Sequence, residues 1–140
     1  MKYWIIAASK DHVMKGVKGS FCQANHGKAS SLKRMNKDDM VLFYSSKISS
    51  EGNEKLQAFT AVGKVKDDEL FQFDVGNGFV PFRRRIEFMK CKVVSILPLI
   101  EKLNFIKDKK HWGYPFRFGF LEIPKEDFEL LSVMMLANKN

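Results

Sequence analysis

Residues 40–46, "MVLFYSS", decide the fold. The run from Met40 to Tyr44 is apolar without interruption, and a short continuous apolar run reads as a buried strand. The turn "NKDD" (36–39) leads into it. Toward the N-terminus, "YWIIAAS" (3–9) is a second run of the same kind. Between the two lie a short helical turn expected from Lys10 to Gly16 and another over "SSLKRM" (30–35), with Ser30 or Ser31 as its cap. Toward the C-terminus, "KISSEGNE" (47–54) is a polar loop, and "KLQAFTAVGKVK" (55–66) is a long strand with Gly63 as a bulge or close-approach point.

"ELFQFDV" (69–75) alternates with period two, as a half-exposed strand does, and "GNG" (76–78) is a turn. "FVPFRRRIEFMKCKVV" (79–94) is the longest strand candidate, with Pro81 placing its start at an edge or bulge. "SILPLIEKLNF" (95–105) reads as a short helix with Pro98 in its first turn. "IKDKKHWGYPFRFGF" (106–120) reads as an aromatic loop, and "IPKEDFELLSVMMLAN" (123–138) as a closing amphipathic helix. Strands mostly follow one another, with helices at the connections. The fold class is therefore α+β, mainly β: a curled mixed or antiparallel sheet closing toward a small barrel with peripheral helices. No repeat or linker divides the chain, so a single domain over 1–140 is expected. A dinucleotide-binding fold is excluded, because no G-x-G-x-x-G opens a helix after a strand.

Of the 140 residues, 45% are hydrophobic and 13 are Phe, enough for one aromatic-rich core. No apolar run reaches the roughly 18 to 20 residues of a membrane span. The start "MKYWIIAASKDH" is too poor in apolar residues for a signal peptide, so a cytoplasmic location is expected. The formal charge of +8 points to a polyanionic partner or to ordinary solubilising charge. Lysines crowd the first 40 residues, Arg83, Arg84 and Arg85 form a second basic cluster, and Lys107, Lys109 and Lys110 a third.

The chemistry concentrates in "FCQANHGKASSLKRM" (21–35), which holds Phe21, Cys22, Gln23, His26 and Lys28. It admits four readings: a Cys/His catalytic site, a metal site, an anion cradle, or the wall of a binding pocket. A nucleophile would be Cys22 with His26 or His12 as base, yet no spacing demands it, and Cys is commonly a small core residue. Cys22, His12 and His26 would make a metal set, but there is no C-x-x-C and no zinc-type spacing, so neither metal nor cofactor is expected. "HGK" (26–28) lacks the glycine spacing and the Ser or Thr of a phosphate loop. Trp4 lies inside an apolar strand and is expected in the core. Trp112 lies among Lys, His, Tyr and Arg, a mixture that can stack a base beside a phosphate. Phe116, Phe118 and Phe120 are expected to clamp their loop onto the sheet.

Taken in order, "YWI", "SKDH", "GSFCQ", "HGK", "LKRM", "DDMVLFYS", "AVGKV", "PFRRRIEF" and "WGYPFRFGFLEIPKEDFELL" closely resemble the EVE domain family across nearly the whole chain. "NKDD" departs from the family where a glycine often precedes the strand, and that affects a turn. The resemblance implies a PUA-like fold, a small curved β-barrel with peripheral helices, related to YTH, ASCH and SRA-like domains. It implies a non-enzymatic module that binds DNA or RNA and recognises a flipped nucleobase, modified or not, with an effector protein as a partner. Base- and nucleic-acid-binding candidates on the matching motifs are Ser9, His12, Phe21, Gln23, His26, Lys28, Arg85 and Trp112. The alternatives are a small-molecule or protein-binding adaptor, or an enzyme using Cys22, His12 or His26.

Overall fold

A computed structural model describes residues 1–137. The seven strands are β1 (Tyr3–Ala7), β2 (Phe21–Cys22), β3 (Met40–Lys47), β4 (Lys55–Gln72), β5 (Phe82–Met89), β6 (Val94–Ser95) and β7 (Phe120–Ile123). Three α-helices join them: α1 (Lys10–Gly19), α2 (Ala29–Leu32) and α3 (Lys125–Leu136). Short 3₁₀ segments run over Asn25–Gly27, Leu97–Lys102 and Tyr114–Phe118. The strands form one mixed sheet in the order β2-β5-β4-β3-β1-β7, with β6 also pairing with β4. The β1–β3 pair is parallel, and the other pairs are antiparallel.

The apolar runs behave as central strands. Along β1, Ile5 joins one buried cluster while Trp4 and Ile6 join another. Along β3, Leu42 and Tyr44 belong to the first cluster, and Val41 and Phe43 to the second. Successive side chains leave a strand on opposite faces, so unbroken apolar runs mean that both faces are covered. The first face is covered by α3 and the 97–106 segment, through Phe128, Leu131, Leu99 and Ile106. The second is covered by α1, α2 and the segment between them, through Val13, Ala24, Leu32 and Met35.

The strand order corrects the barrel expectation. The sheet is not closed, because among the described residues β2 and β7 end the strand order without pairing to each other. β1 and β3 are apolar on both sides, and each side is covered by helices and the segments beside them.

Local expectations differ in instructive ways. Helix α1 runs through Gly16 to Gly19, with Ser20 in the left-handed conformation ending it. Gly16 is needed for packing, since a Cβ there would collide with the Phe21 carbonyl oxygen. Neither Ser30 nor Ser31 caps α2; Lys28 holds the cap position without a capping bond. The two strands expected over 55–75 are one strand, β4, kinked by a register shift between Val65 and Leu70. Gly63 lies in regular register as a close-approach point, where an added Cβ would sit 2.5 Å from Ile86 Cγ2. The 79–94 candidate divides into β5 and β6, and the 95–105 helix is the 3₁₀ segment Leu97–Lys102. The helix expected over 123–138 is α3, and its expected last position, Asn138, lies outside the described residues. Strand β7, at the end of the expected aromatic loop, is an addition.

Candidate functional site

A cavity of about 820 Å³ opens between the end of β1, α1, β2, the 23–27 turn and the 73–82 hairpin. Ser9, His12, Phe21, Gln23 and His26 all line it, so the fold brings together five of the eight expected site residues. Ser9 sits at the N-cap position of α1. Its hydroxyl donates to Asp11 Oδ1 instead of capping the helix backbone. Asp11 Oδ2 in turn faces Ser49 Oγ and the Ser50 backbone N–H and hydroxyl at 3.4–3.5 Å, which ties the 48–51 loop to α1. The Ser9 hydroxyl bond, helped by backbone N–H donors from Ser50 and His12, holds the Asp11 carboxyl down at about 2.

The opposite wall is built on β2 and β5. Arg83 Nε donates to Gln23 Oε1 at 2.8 Å, and the guanidinium lies 3.7 Å over the Phe21 ring and 4.5 Å from the Phe73 ring. Arg83 therefore covers one face of the Phe21 ring and links it to Phe73. Lys15, Lys47 and Arg117 add positive charge to the lining, Phe43 and Phe79 add apolar wall, and no carboxylate lines the cavity among the described residues.

The stretch 25–27 runs through three positive φ values, 48° at Asn25, 61° at His26 and 82° at Gly27. Gly27 is required there twice over, by its φ and by Pro81, whose Cβ an added Cβ would approach to 2.5 Å. The N–H groups of Gly27 and Lys28 donate to the carbonyls of Ala24 and Asn25, so they close the turn and are not turned to an anion. The turn aims His26 at the cavity and leaves the exposed Lys28 outside its lining.

Three consecutive arginines have three environments. Arg84 is buried and donates to the carbonyls of Leu32, Met35 and Asp67, bracing α2 against the β4 kink; its Nε has no partner. Arg85 pairs with Asp67 at 3.3 Å and Glu69 at 3.2 Å and covers the Phe71 ring. Arg83 takes the cavity position expected of Arg85. The β2–β5 register sets Phe21 opposite Arg85 and Cys22 opposite Arg84, so the side-chain partners make the choice: Gln23 and Phe21 hold Arg83, while Asp67 and Glu69 engage Arg85. β2 is only two residues long and gave no periodic signal of its own. Arg117 was visible in the sequence as the one arginine among the loop aromatics.

Trp112 is not in this cavity. It lines a second one of about 330 Å³, with Tyr44, Ser46, Gln57, Lys110, His111, Gly113 and Phe116. Phe43 and Tyr44 are neighbours on β3 and face opposite sides, so the two cavities open on opposite faces of the sheet. Phe116 stacks on Tyr44 and Phe120 on Trp4, as clamps should, whereas Phe118 is 60% exposed. Trp4 is fully buried, and its indole N–H donates to Asp39 Oδ2 at 2.9 Å.

Cys22 is packed in the core with its thiol pushed up to about 12 by burial, so it is a protonated core residue. Among the described residues no three His, Cys, Asp or Glu side chains are grouped as metal ligands, and no helix is long and apolar enough to cross a membrane.

The family model for the EVE domain matches residues 2–134. The "UPF0310 protein in gntR 5'region" of Bacillus licheniformis is 49% identical over 128 residues, covering 91% of this chain and 87% of that protein. A UPF0310 protein of Mycolicibacterium vanbaalenii is 46% identical over 137 residues, covering 98% and 94%. Among solved structures, the YTH domain of the Zygosaccharomyces rouxii MRB1 protein, in complex with N6-methyladenosine RNA, superposes with a TM-score of 0.58 at 14% identity, covering 99% of this chain and 87% of that one. The last likeness is one of fold. By the span of the family match and by its close relatives, the chain belongs to the EVE domain family.

Proposed function

We propose that the chain, acting as one domain, is a nucleic-acid-binding module that receives a single flipped nucleobase, modified or unmodified, in the larger cavity. The carrying observation is the lining itself: aromatic side chains of Phe21, Phe43 and Phe79 beside Lys15, Lys47, Arg83 and Arg117, with no carboxylate in the lining among the described residues, Asp11 standing behind Ser9 and Ser50. A base out of its stack is held by stacking and by hydrogen bonds to its edge. The Phe21–Arg83 pair supplies the platform, and Ser9, Gln23, His12 and His26 supply donors and acceptors at the rim. The cations of the lining suit the phosphates on either side of the base. The YTH domain bound to N6-methyladenosine RNA supports the reading by its fold. Cys22 takes no part as a nucleophile, because its thiol is buried and protonated.

The test is a fluorescence-anisotropy titration of modified and unmodified, single- and double-stranded oligonucleotides at low salt. Saturable binding that weakens with added salt is expected. Absence of binding to every one of them at low salt would remove the proposal.

A further inference from the structure

The Trp112 cavity has the marks of a second site. Tyr44 is 2% exposed, and its ring is fixed by Phe116 at a centroid distance of 3.9 Å. Its hydroxyl joins no hydrogen bond between described residues, yet it is not sealed: among those residues Arg84 Nε is the sealed side-chain polar atom without a partner. The cavity it lines is its outlet. A buried hydroxyl left without a partner costs stability, so an outlet that admits water or a ligand matters. Burial pushes Tyr44 up to about 12, so the group is a neutral O–H donor at any ordinary pH.

The neighbours are also unengaged. The Gln57 side-chain amide and the Ser46 hydroxyl make no side-chain hydrogen bonds among described residues, and both line the same space. Gln57 stands at φ 53°, in the left-handed region, within β4. That backbone turn brings its amide, both a donor and an acceptor, into the cavity. Trp112 and Phe116 provide apolar faces, and Lys110 a cation at the rim. His111 Nδ1 is 2.9 Å from Asp108 Oδ2, so that ring nitrogen is already engaged. A volume of about 330 Å³ is at the small end for ligand sites and has room for one ring system with one charged group.

We propose that this cavity is a second ligand site, on the opposite sheet face from the first, that takes one nucleotide: its ring against Trp112, its ring edge on Tyr44 and Gln57, its phosphate at Lys110. A planar ring whose edge alternates donors and acceptors can use the Gln57 amide and the Tyr44 hydroxyl together. The nucleotide is either a free monophosphate or one unit of a bound strand.

Two-dimensional ¹⁵N NMR of the full chain separates the cases. The chain has two tryptophans, and Trp4 is buried in the core, so one indole N–H signal reports on this site. AMP, GMP, CMP and UMP are titrated singly to millimolar concentration, and then a short single-stranded oligonucleotide. Saturable movement of the Trp112 indole and Gln57 amide signals is expected with at least one monophosphate or with the oligonucleotide. Movement with monophosphates alone identifies a free nucleotide; movement with the oligonucleotide alone identifies a strand. Tyr44→Phe, which keeps the ring on Phe116, is expected to weaken binding roughly tenfold, and Lys110→Gln, on an exposed side chain, about threefold at low salt. No saturable movement with any probe, or equal affinity in both variants and the parent, overturns the site. The Gln23 amide signals read the first cavity separately, so failure at Trp112 leaves the proposed function standing, and the converse also holds.

Discussion

At the scale of single residues, Arg83 and Asp39 carry the sharpest consequences. Arg83 is held on Phe21 by Gln23, while Arg85 answers two carboxylates away from the cavity. Arg83→Ala is therefore expected to weaken oligonucleotide binding by about tenfold or more, and Arg85→Ala by less than about twofold, in the same anisotropy assay. Equal losses would remove Arg83 from the site. The sequence displayed the three arginines but not their roles, because alternation puts Arg83 and Arg85 on one face and only their partners, Gln23 for one and Asp67 with Glu69 for the other, tell them apart. Asp39 accepts from the Trp4 indole, the Asn36 backbone and the Lys2 backbone. Burial pushes its carboxyl up, and these bonds outweigh that, so the net shift is downward. Asp39→Ala is expected to cost about 3 kcal/mol in chemical denaturation followed by tryptophan fluorescence. Asp11, down at about 2, gives a pH signature. Its folded value lies below the unfolded one near 3.8, so its contribution is complete above that pH and is lost as pH falls toward 2. Relative to Asp11→Asn, the parent's denaturation midpoint should lead at pH 6, with the gap closing by pH 2. A gap that stays constant would show that the Ser9–Asp11 bond has no such linkage.

At the scale of elements, the apolar runs made β1 and β3 legible, while the short pieces were not. β7 holds four residues between Gly119 and Pro124, too few for a period to appear, and its identity comes from pairing with β1. α1 was read short because Gly16 looks like a stop, when it is a point of contact with the Phe21 backbone. The same logic at Gly63 yields a test. An added Cβ would sit 2.5 Å from Ile86 Cγ2 and 2.9 Å from the Glu87 carbonyl, inside the β4–β5 pair. Gly63→Ala is expected to destabilise the fold by about 1–3 kcal/mol, seen as a lower urea midpoint with an unchanged slope. A neutral outcome would mean that the two strands part easily at this point.

For the whole molecule, the apolar runs and turns gave most of the order of elements, and five of the eight residues named from the family resemblance line the larger cavity, but its barrel was an overstatement. The open edges at β2 and β7 and the helices on both faces make a layered sheet, and the layering explains why Phe21 and Trp112 serve different cavities. If three or four of Lys15, Lys47, Arg83 and Arg117 meet phosphates, log affinity for single strands should fall with log salt at a slope of roughly −2 to −3. A slope near zero would say that the cations of the cavity do not meet a nucleic-acid backbone. One last property follows from β1, which lies between β3 and β7, with Tyr3 opposite Ile123. During synthesis β1 leaves the ribosome before β3, and its second neighbour β7 only after β3, β4, β5 and β6. Until then, the edge that β7 will cover offers unpaired amides and carbonyls to any other nascent chain. Pairings so distant in sequence also slow the search for the native topology. Completion of this sheet is thus timed by the arrival of four residues, and a chain halted before Phe120 would be a candidate for aggregation or chaperone capture.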